Sequence, residues 1–288
     1  MIDWGTALIK ELAARRCIVF FGSGASAGCV ASVGDRRPPT WEQLLTMLCE
    51  SIRNNQSDQN IARQLIGERK YLDAAEVIVS SLIRADYVDT MRNIFEIPRY
   101  NKSALHESIL RLDPKVVITT NFDTVYDLYC RSGIAAEGYN IFNYTDTHLI
   151  SQLRSSIRCV IKAHGCITDP DTMILTRSEF FEARQRAPHF FRILDSLFLT
   201  HTLLFVGYSL SDPDIQITLE NSYIAAPSSH THYFVTEAGM HPALKRSAQR
   251  TYNISFLEFE PGNYLELEAS LADLADRVVE YRQENADV

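Results

Sequence analysis

The sequence predicts an α/β fold: a Rossmann-like, doubly wound and mostly parallel sheet with a helical insertion after its first strand. Three observations predict it. Short apolar runs rich in β-branched residues recur along the 288 residues, helical stretches separate them, and the first four runs end in polar turn sequences. Strands of a parallel sheet are covered on both faces, so they read as continuous apolar runs rather than alternating ones. The runs are Cys17–Phe21 (CIVFF), Val116–Thr120 (VVITT), Cys159–Ala163 (CVIKA), Leu203–Gly207 (LLFVG) and Tyr233–Thr236 (YFVT), with Ile254–Phe259 as a sixth candidate.

Taken in order, the chain opens on MIDWGTALIKELAARR, an amphipathic helix with Trp4, Leu8, Leu12 and Ile9 on one side. This opening lacks the basic-then-apolar pattern of a secretion signal. No apolar run approaches the roughly 20 residues of a membrane helix, so a cytoplasmic protein is expected. After the first strand come almost a hundred residues of helical pattern. WEQLLTMLCESI starts at Trp41 behind a Pro-Pro-Thr start signal, and NIARQLIGER and YLDAAEVIVSSLIR follow from Asn60 and Tyr71. The expectation is a single domain over residues 1–288, with a helical insertion at approximately 40–112 forming a small subdomain or lid.

Composition narrows the function classes. With 46% hydrophobic and 22% charged residues the chain can bury a full core, and its formal net charge of -8 argues against coating nucleic acid. The pairs Arg15–Arg16 and Arg36–Arg37 read as solvated faces. None of the six cysteines forms a C-x-x-C pair, so neither a zinc ribbon, another metal site nor a disulfide framework is expected. His230 and His232 read as ordinary surface histidines at the start of a strand.

The four polar endings carry the chemistry. In open α/β sheets ligands bind beyond the carboxyl ends of the strands, near the point where strand order reverses. Gly22-Ser23-Gly24-Ala25-Ser26-Ala27-Gly28 fits G-x-G-x-x-G/A, in which glycines let successive amides approach a phosphate. Unliganded turns share that pattern. It lacks the G-K-[ST] ending of an ATP-binding loop, and no strand with a ribose-binding acid follows about 20 residues later, as a dehydrogenase requires. In Thr119-Thr120-Asn121-Phe122-Asp123, Asn121 can bond ribose hydroxyls or hold a water. Asp123 can accept from a carboxamide, though capping the next helix explains it equally well. In Lys162-Ala163-His164-Gly165, His164 at a strand end can take a proton near neutral pH, and Gly165 leaves room for a ligand. In Gly207-Tyr208-Ser209-Leu210-Ser211-Asp212-Pro213-Asp214, Gly207 and Ser209 can admit a ribose and Tyr208 offers a flat surface, while Asp212 or Asp214 reads as a helix cap.

This combination, in this order, resembles the sirtuin family. FFGSGAS, TTNFD, KAHG, ITDPD with ILTRSEF, and LLFVGYSLSDPDI are most similar to sirtuin-like effector domains of bacterial antiphage defence. The length suits a stand-alone partner of a HerA-type ATPase. The resemblance implies NAD+ as substrate, without a metal, and a defence effector that hydrolyses NAD+ to nicotinamide and ADP-ribose. It implies Gly22, Ser23, Gly24, Ala25 and Ser26 at the diphosphate, with Asn121 and His164 as the catalytic pair. Asp123 falls beside the nicotinamide carboxamide, Thr120 among the cofactor-binding residues, Gly207, Tyr208 and Ser209 at the adenosine end, and Trp41 over the site. Control by a partner or by homo-oligomerisation is expected, because a free NADase is toxic. The two zinc-binding C-x-x-C pairs of the family's deacylases are missing. Gly34-Asp35-Arg36-Arg37-Pro38-Pro39-Thr40-Trp41 also stands where those enzymes carry G-I-P-D-F-R. An NAD-dependent deacylase or ADP-ribosyltransferase is therefore the second reading, and a non-catalytic NAD or ADP-ribose sensor the third. A nuclease finds no metal-carboxylate cluster to support it.

Overall fold

A computed structural model of the chain describes residues 1–53, 55–132, 138–210, 213–227 and 230–285. Helix α1 (Thr6–Ala13) leads into strand β1 (Cys17–Phe21) and a one-turn helix α2 (Ser23–Ser26). Five helices follow: α3 (Trp41–Glu50), α4 (Gln56–Gly67), α5 (Tyr71–Ser81), α6 (Arg84–Phe95) and α7 (Ala104–Leu112). Then come β2 (Val116–Thr119), α8 (Val125–Arg131), β3 (Tyr139–Asn143), α9 (Leu149–Leu153), β4 (Arg158–Lys162), α10 (Arg177–Arg186) and α11 (Pro188–Thr200). The chain continues with β5 (Thr202–Val206), α12 (Pro213–Ala225), β6 (His232–Glu237), α13 (Pro242–Tyr252), β7 (Ile254–Phe259) and α14 (Tyr264–Glu284).

The strands lie in the order β3-β4-β2-β1-β5-β6-β7, and all six pairings are parallel. The expected Rossmann-like, doubly wound sheet is therefore present, and the qualifier "mostly" can be dropped. The four runs read as continuous apolar strands are its centre, β4-β2-β1-β5. β1, β2 and β5 are buried at every position. Strand β3 was not expected. Its YNIFN sequence carries an asparagine at two of five positions, and only Tyr139 is fully buried because the strand lies at the sheet edge.

Each face of the sheet has its own apolar layer. One holds Trp4, ahead of α1, and Leu8, Leu12, Ile109, Leu271 and Leu274 from α1, α7 and α14 against Val19, Phe21 and Val117. The other holds Phe190, Leu194, Phe198 and Leu219 against Ile18, Phe20, Ile118 and Phe205. Burial at roughly 25 cal/mol per Å² of apolar surface holds both layers on the strands. Helix α1 buries Leu8 and Leu12 as expected, while Trp4 lies before the helix, 2% exposed, with its Nε1 donating to the Ser270 carbonyl.

The stretch expected as one insertion divides. Helices α3 to α6 build a separate core with Leu45, Leu48, Ile78 and Met91, which also takes in Phe122, Cys166, Ile167 and Leu175 from turns beyond β2 and β4. Helix α7 belongs with the sheet-face layer instead, packed on α14. The α3–α6 subdomain thus sits over the carboxyl ends of the strands. All six cysteines are buried and free, and no group of three or more metal-ligating residues occurs among the described residues. Among them, too, no helix is long and apolar enough to cross a membrane. His232 corrects the surface reading: it is buried, its Nδ1 accepts from the Leu203 amide, and burial lowers its pKa to about 4. His230 is exposed.

Candidate active site

Chain order reverses between β1 and β5, where the sheet turns from β2-β4-β3 on one side to β5-β6-β7 on the other. A cavity of about 430 Å³ opens there. At about 4.8 Å between strands, the four ends β4-β2-β1-β5 span about 14 Å. Gly22, Ser23, Ser26, Trp41, Thr120, Asn121, Asp123, His164, Gly207, Tyr208 and Ser209 all line the cavity, with Pro38–Thr40 beside Trp41. Gly24 and Ala25 do not.

The glycine turn departs from the expected phosphate cradle. The Gly22 amide donates to the Val206 carbonyl (3.2 Å), Gly24 to the Gly207 carbonyl (2.9 Å) and Ala25 to the Gly22 carbonyl (3.0 Å). Among the four amides from Gly22 to Ala25, only that of Ser23 has no such carbonyl partner. A Cβ on Gly24 would come within 2.8 Å of Gly207 Cα, and one on Gly22 within 2.7 Å of the Tyr208 ring. Gly207 has φ +58, and a side chain there would overlap the Ala25 amide. These glycines are required by the close packing of the β1 and β5 turns on each other. Gly165 is a similar correction. Its φ is +84 and a Cβ would overlap the Thr172 carbonyl, so it leaves room for the next loop rather than for a ligand.

The β2 end is built around Asn121, 8% exposed. Its Nδ2 donates to the Gly22 carbonyl (3.2 Å) and to Ser26 Oγ (3.0 Å). A carbonyl can only accept, so this contact fixes the amide orientation, and Oδ1 is the acceptor available to a hydroxyl or a water. Ser26 Oγ passes the chain on to Asp123 Oδ2 (3.0 Å), whose Oδ1 accepts from the Val125 amide (3.0 Å). The capping reading of Asp123 therefore describes one of its oxygens. Beneath it lies a group the sequence reading missed. Lys162 Nζ, 2% exposed, donates to the Asp123 carbonyl and lies 3.4 Å from Asp127 Oδ2. Burial pulls the ammonium pKa down, but the Asp127 carboxylate together with Cys166 and Asp123 more than offsets it, leaving Lys162 above its ordinary value. A lysine inside the apolar CVIKA run was the signal, since a buried cation needs a partner.

His164 follows β4. Its carbonyl accepts from Ile174 (2.9 Å) and its ring meets Phe180 edge-on at 6.2 Å. The return loop is held by Thr172 Oγ1, which donates to the Asp169 carbonyl (2.7 Å) and accepts from Asn143 Nδ2 (2.9 Å) on β3. Behind the glycine turn, Ser103 Oγ donates to the Ala25 carbonyl (2.7 Å). His106 Nδ1 there accepts from the Ser103 amide (3.4 Å). Burial lowers the His106 pKa to about 4 and raises that of neighbouring Cys29 to about 12, so neither is a reactive pair. The insertion also contributes Arg69, Lys70, Tyr71 and Asp73, and α10 contributes Arg177. No local motif announced the four from the insertion, whereas Arg177 lies within the ILTRSEF segment. Ser211 and Asp212 lie outside the described residues, as does the side chain of Asp214.

A doubly wound parallel sheet with a lined cavity at its switch point places the chain among Rossmann-like α/β proteins. Within it, residues 115–257 match the family model described as a SIR2-like domain. That segment holds Asn121, Asp123, His164 and Gly207–Ser209, and leaves the glycine turn and Trp41 before it. Defense-associated sirtuin 2 of Bacillus subtilis is 23% identical over 73% of this chain and 20% of its own length. The NAD(+) hydrolase ThsA of Acinetobacter baumannii is 26% identical over 76% of this chain and 41% of its own. The uncharacterized protein y4cA of Sinorhizobium fredii is 23% identical over 99% of this chain and 24% of its own. The chain thus spans about a fifth to two-fifths of the length of these relatives.

Proposed function

We propose that the cavity binds NAD+ and hydrolyses its nicotinamide–ribose bond, as a defence effector that depletes cellular NAD+. The observation that carries this reading is the placement of Asn121 and His164 beside the glycine turns on one cavity, at the sheet's switch point. The names of two relatives, a defence sirtuin and an NAD(+) hydrolase, support the same chemistry.

The bond between C1′ and the pyridinium nitrogen breaks with its electron pair leaving on nicotinamide, which becomes neutral. Water oxygen bonds to C1′, and the water's proton passes to His164 acting as general base. Asn121 Oδ1 orients that water or the ribose, since its amide hydrogens are already held by Gly22 and Ser26. Thr120 and Asp123 flank the nicotinamide side, Gly207, Tyr208 and Ser209 the adenosine side, and Trp41 closes over the ligand. Unrestrained activity would exhaust the host's own NAD+, so the effector works under a partner, such as a HerA-type ATPase, or under self-association. The test is nicotinamide release from NAD+ without any acyl peptide, alone and with candidate partners. Release is expected, and Asn121→Ala should abolish it. A chain that binds no NAD+ overturns the reading, and turnover only with an acylated peptide moves it to a deacylase.

A further inference from the structure

The glycine turn leaves a dinucleotide diphosphate short of donors. Three of the four amides from Gly22 to Ala25 donate to carbonyls of the protein itself. The chain is also net acidic, at -8, so phosphates entering the cavity need local cations. Two arginines on its lining lie far from the turn in sequence: Arg69, between α4 and α5, and Arg177, the first residue of α10. Neither guanidinium has a hydrogen-bond or ion-pair partner among the described residues, whereas neighbouring Lys70 is held by Glu68 at 2.7 Å. The two acids on the same lining do not neutralise the arginines. Asp123 is taken up by Ser26 and Val125, and Asp73 lies in the first turn of α5, whose amides favour a carboxylate.

We propose that Arg69 and Arg177 meet the phosphates of the bound dinucleotide, so that the helical subdomain and α10 supply substrate-binding charge to a cavity built by the sheet. This inference rests on the NAD+ reading above. A guanidinium presents paired donors that match phosphate oxygens, which an amide turn with one remaining N–H does not.

The backbone at Arg69 allows a clean test. Helix α4 ends in a Schellman motif, with Arg69 N–H donating to the Ile66 carbonyl and Lys70 N–H to the Leu65 carbonyl, both at 2.9 Å. Arg69 occupies the left-handed position at φ +60, where glycine is preferred. Left-handed arginines also occur at 15 and 99, so the conformation is a tool here and not the evidence. Arg69→Gly removes the charge without disturbing the helix end, and its melting temperature should be no lower than that of the wild type. ADP-ribose binding is measured by calorimetry for wild type, Arg69→Gly, Arg69→Lys and Arg177→Ala. Arg69→Gly and Arg177→Ala are each expected to weaken binding tenfold or more, with Arg69→Lys between them and wild type. The salt dependence of binding should be shallower in Arg69→Gly than in wild type. Unchanged affinity in Arg69→Gly and Arg177→Ala would overturn the inference and leave the NAD+ reading standing. Wild-type chain that binds neither ADP-ribose nor NAD+ would overturn both.

Discussion

The turns after β1 and β5 and those after β2 and β4 share one cavity, yet their residue types answer different demands. At β1 and β5, Gly22, Gly24 and Gly207 are required because two backbones lie against each other. The amides that a glycine-rich motif would offer a phosphate are mostly engaged there. At β2 and β4 the side chains carry the chemistry: Asn121 is oriented by a carbonyl and a hydroxyl, and His164 stands on a loop held by Thr172. A phosphate-binding pattern can thus persist in sequence for reasons of packing, and the cations for the ligand can come from elsewhere.

Breaking the glycine half should damage the fold first. Gly207→Ala forces a Cβ onto the Ala25 amide at φ +58. Left-handed strain and overpacking together should cost about 3–5 kcal/mol. Thermal or denaturant unfolding checks this, and a variant as stable as wild type would show that the two turns can part freely. A smaller effect belongs to His106 behind the same turn. Its folded pKa, about 4, lies below the unfolded value near 6.5. Between those values the unfolded chain binds the extra proton, so stability rises with pH and is lost as pH falls from about 6.5 toward 4. The full loss is of the order of 3 kcal/mol. His106→Gln should flatten that limb in urea titrations at pH 6.5, 5 and 4, and an unchanged slope would assign it to other groups such as His232.

Much of this was legible in the sequence. CIVFF, VVITT, CVIKA and LLFVG read as covered strands because burial on both faces leaves no polar alternation, and those four are the sheet's centre. Their polar endings could be placed together because parallel strands put all carboxyl ends on one side. YNIFN was not legible, since an edge strand tolerates Asn140 and Asn143. The approach of Arg69 and Arg177 to the cavity was not legible either, although Arg177 lies within the quoted ILTRSEF segment. They reach the cavity through tertiary packing of α4, α5 and α10, which no local pattern encodes.

The central claim is that the β2 and β4 ends perform the chemistry while the rest of the cavity binds. His164→Ala, assayed for nicotinamide release beside calorimetric ADP-ribose binding, tests it most directly. Turnover is expected to fall by about a hundred- to ten-thousandfold, with ADP-ribose affinity and melting temperature close to wild type. Wild-type-like turnover in that variant, under conditions where the wild type is clearly active, would contradict it.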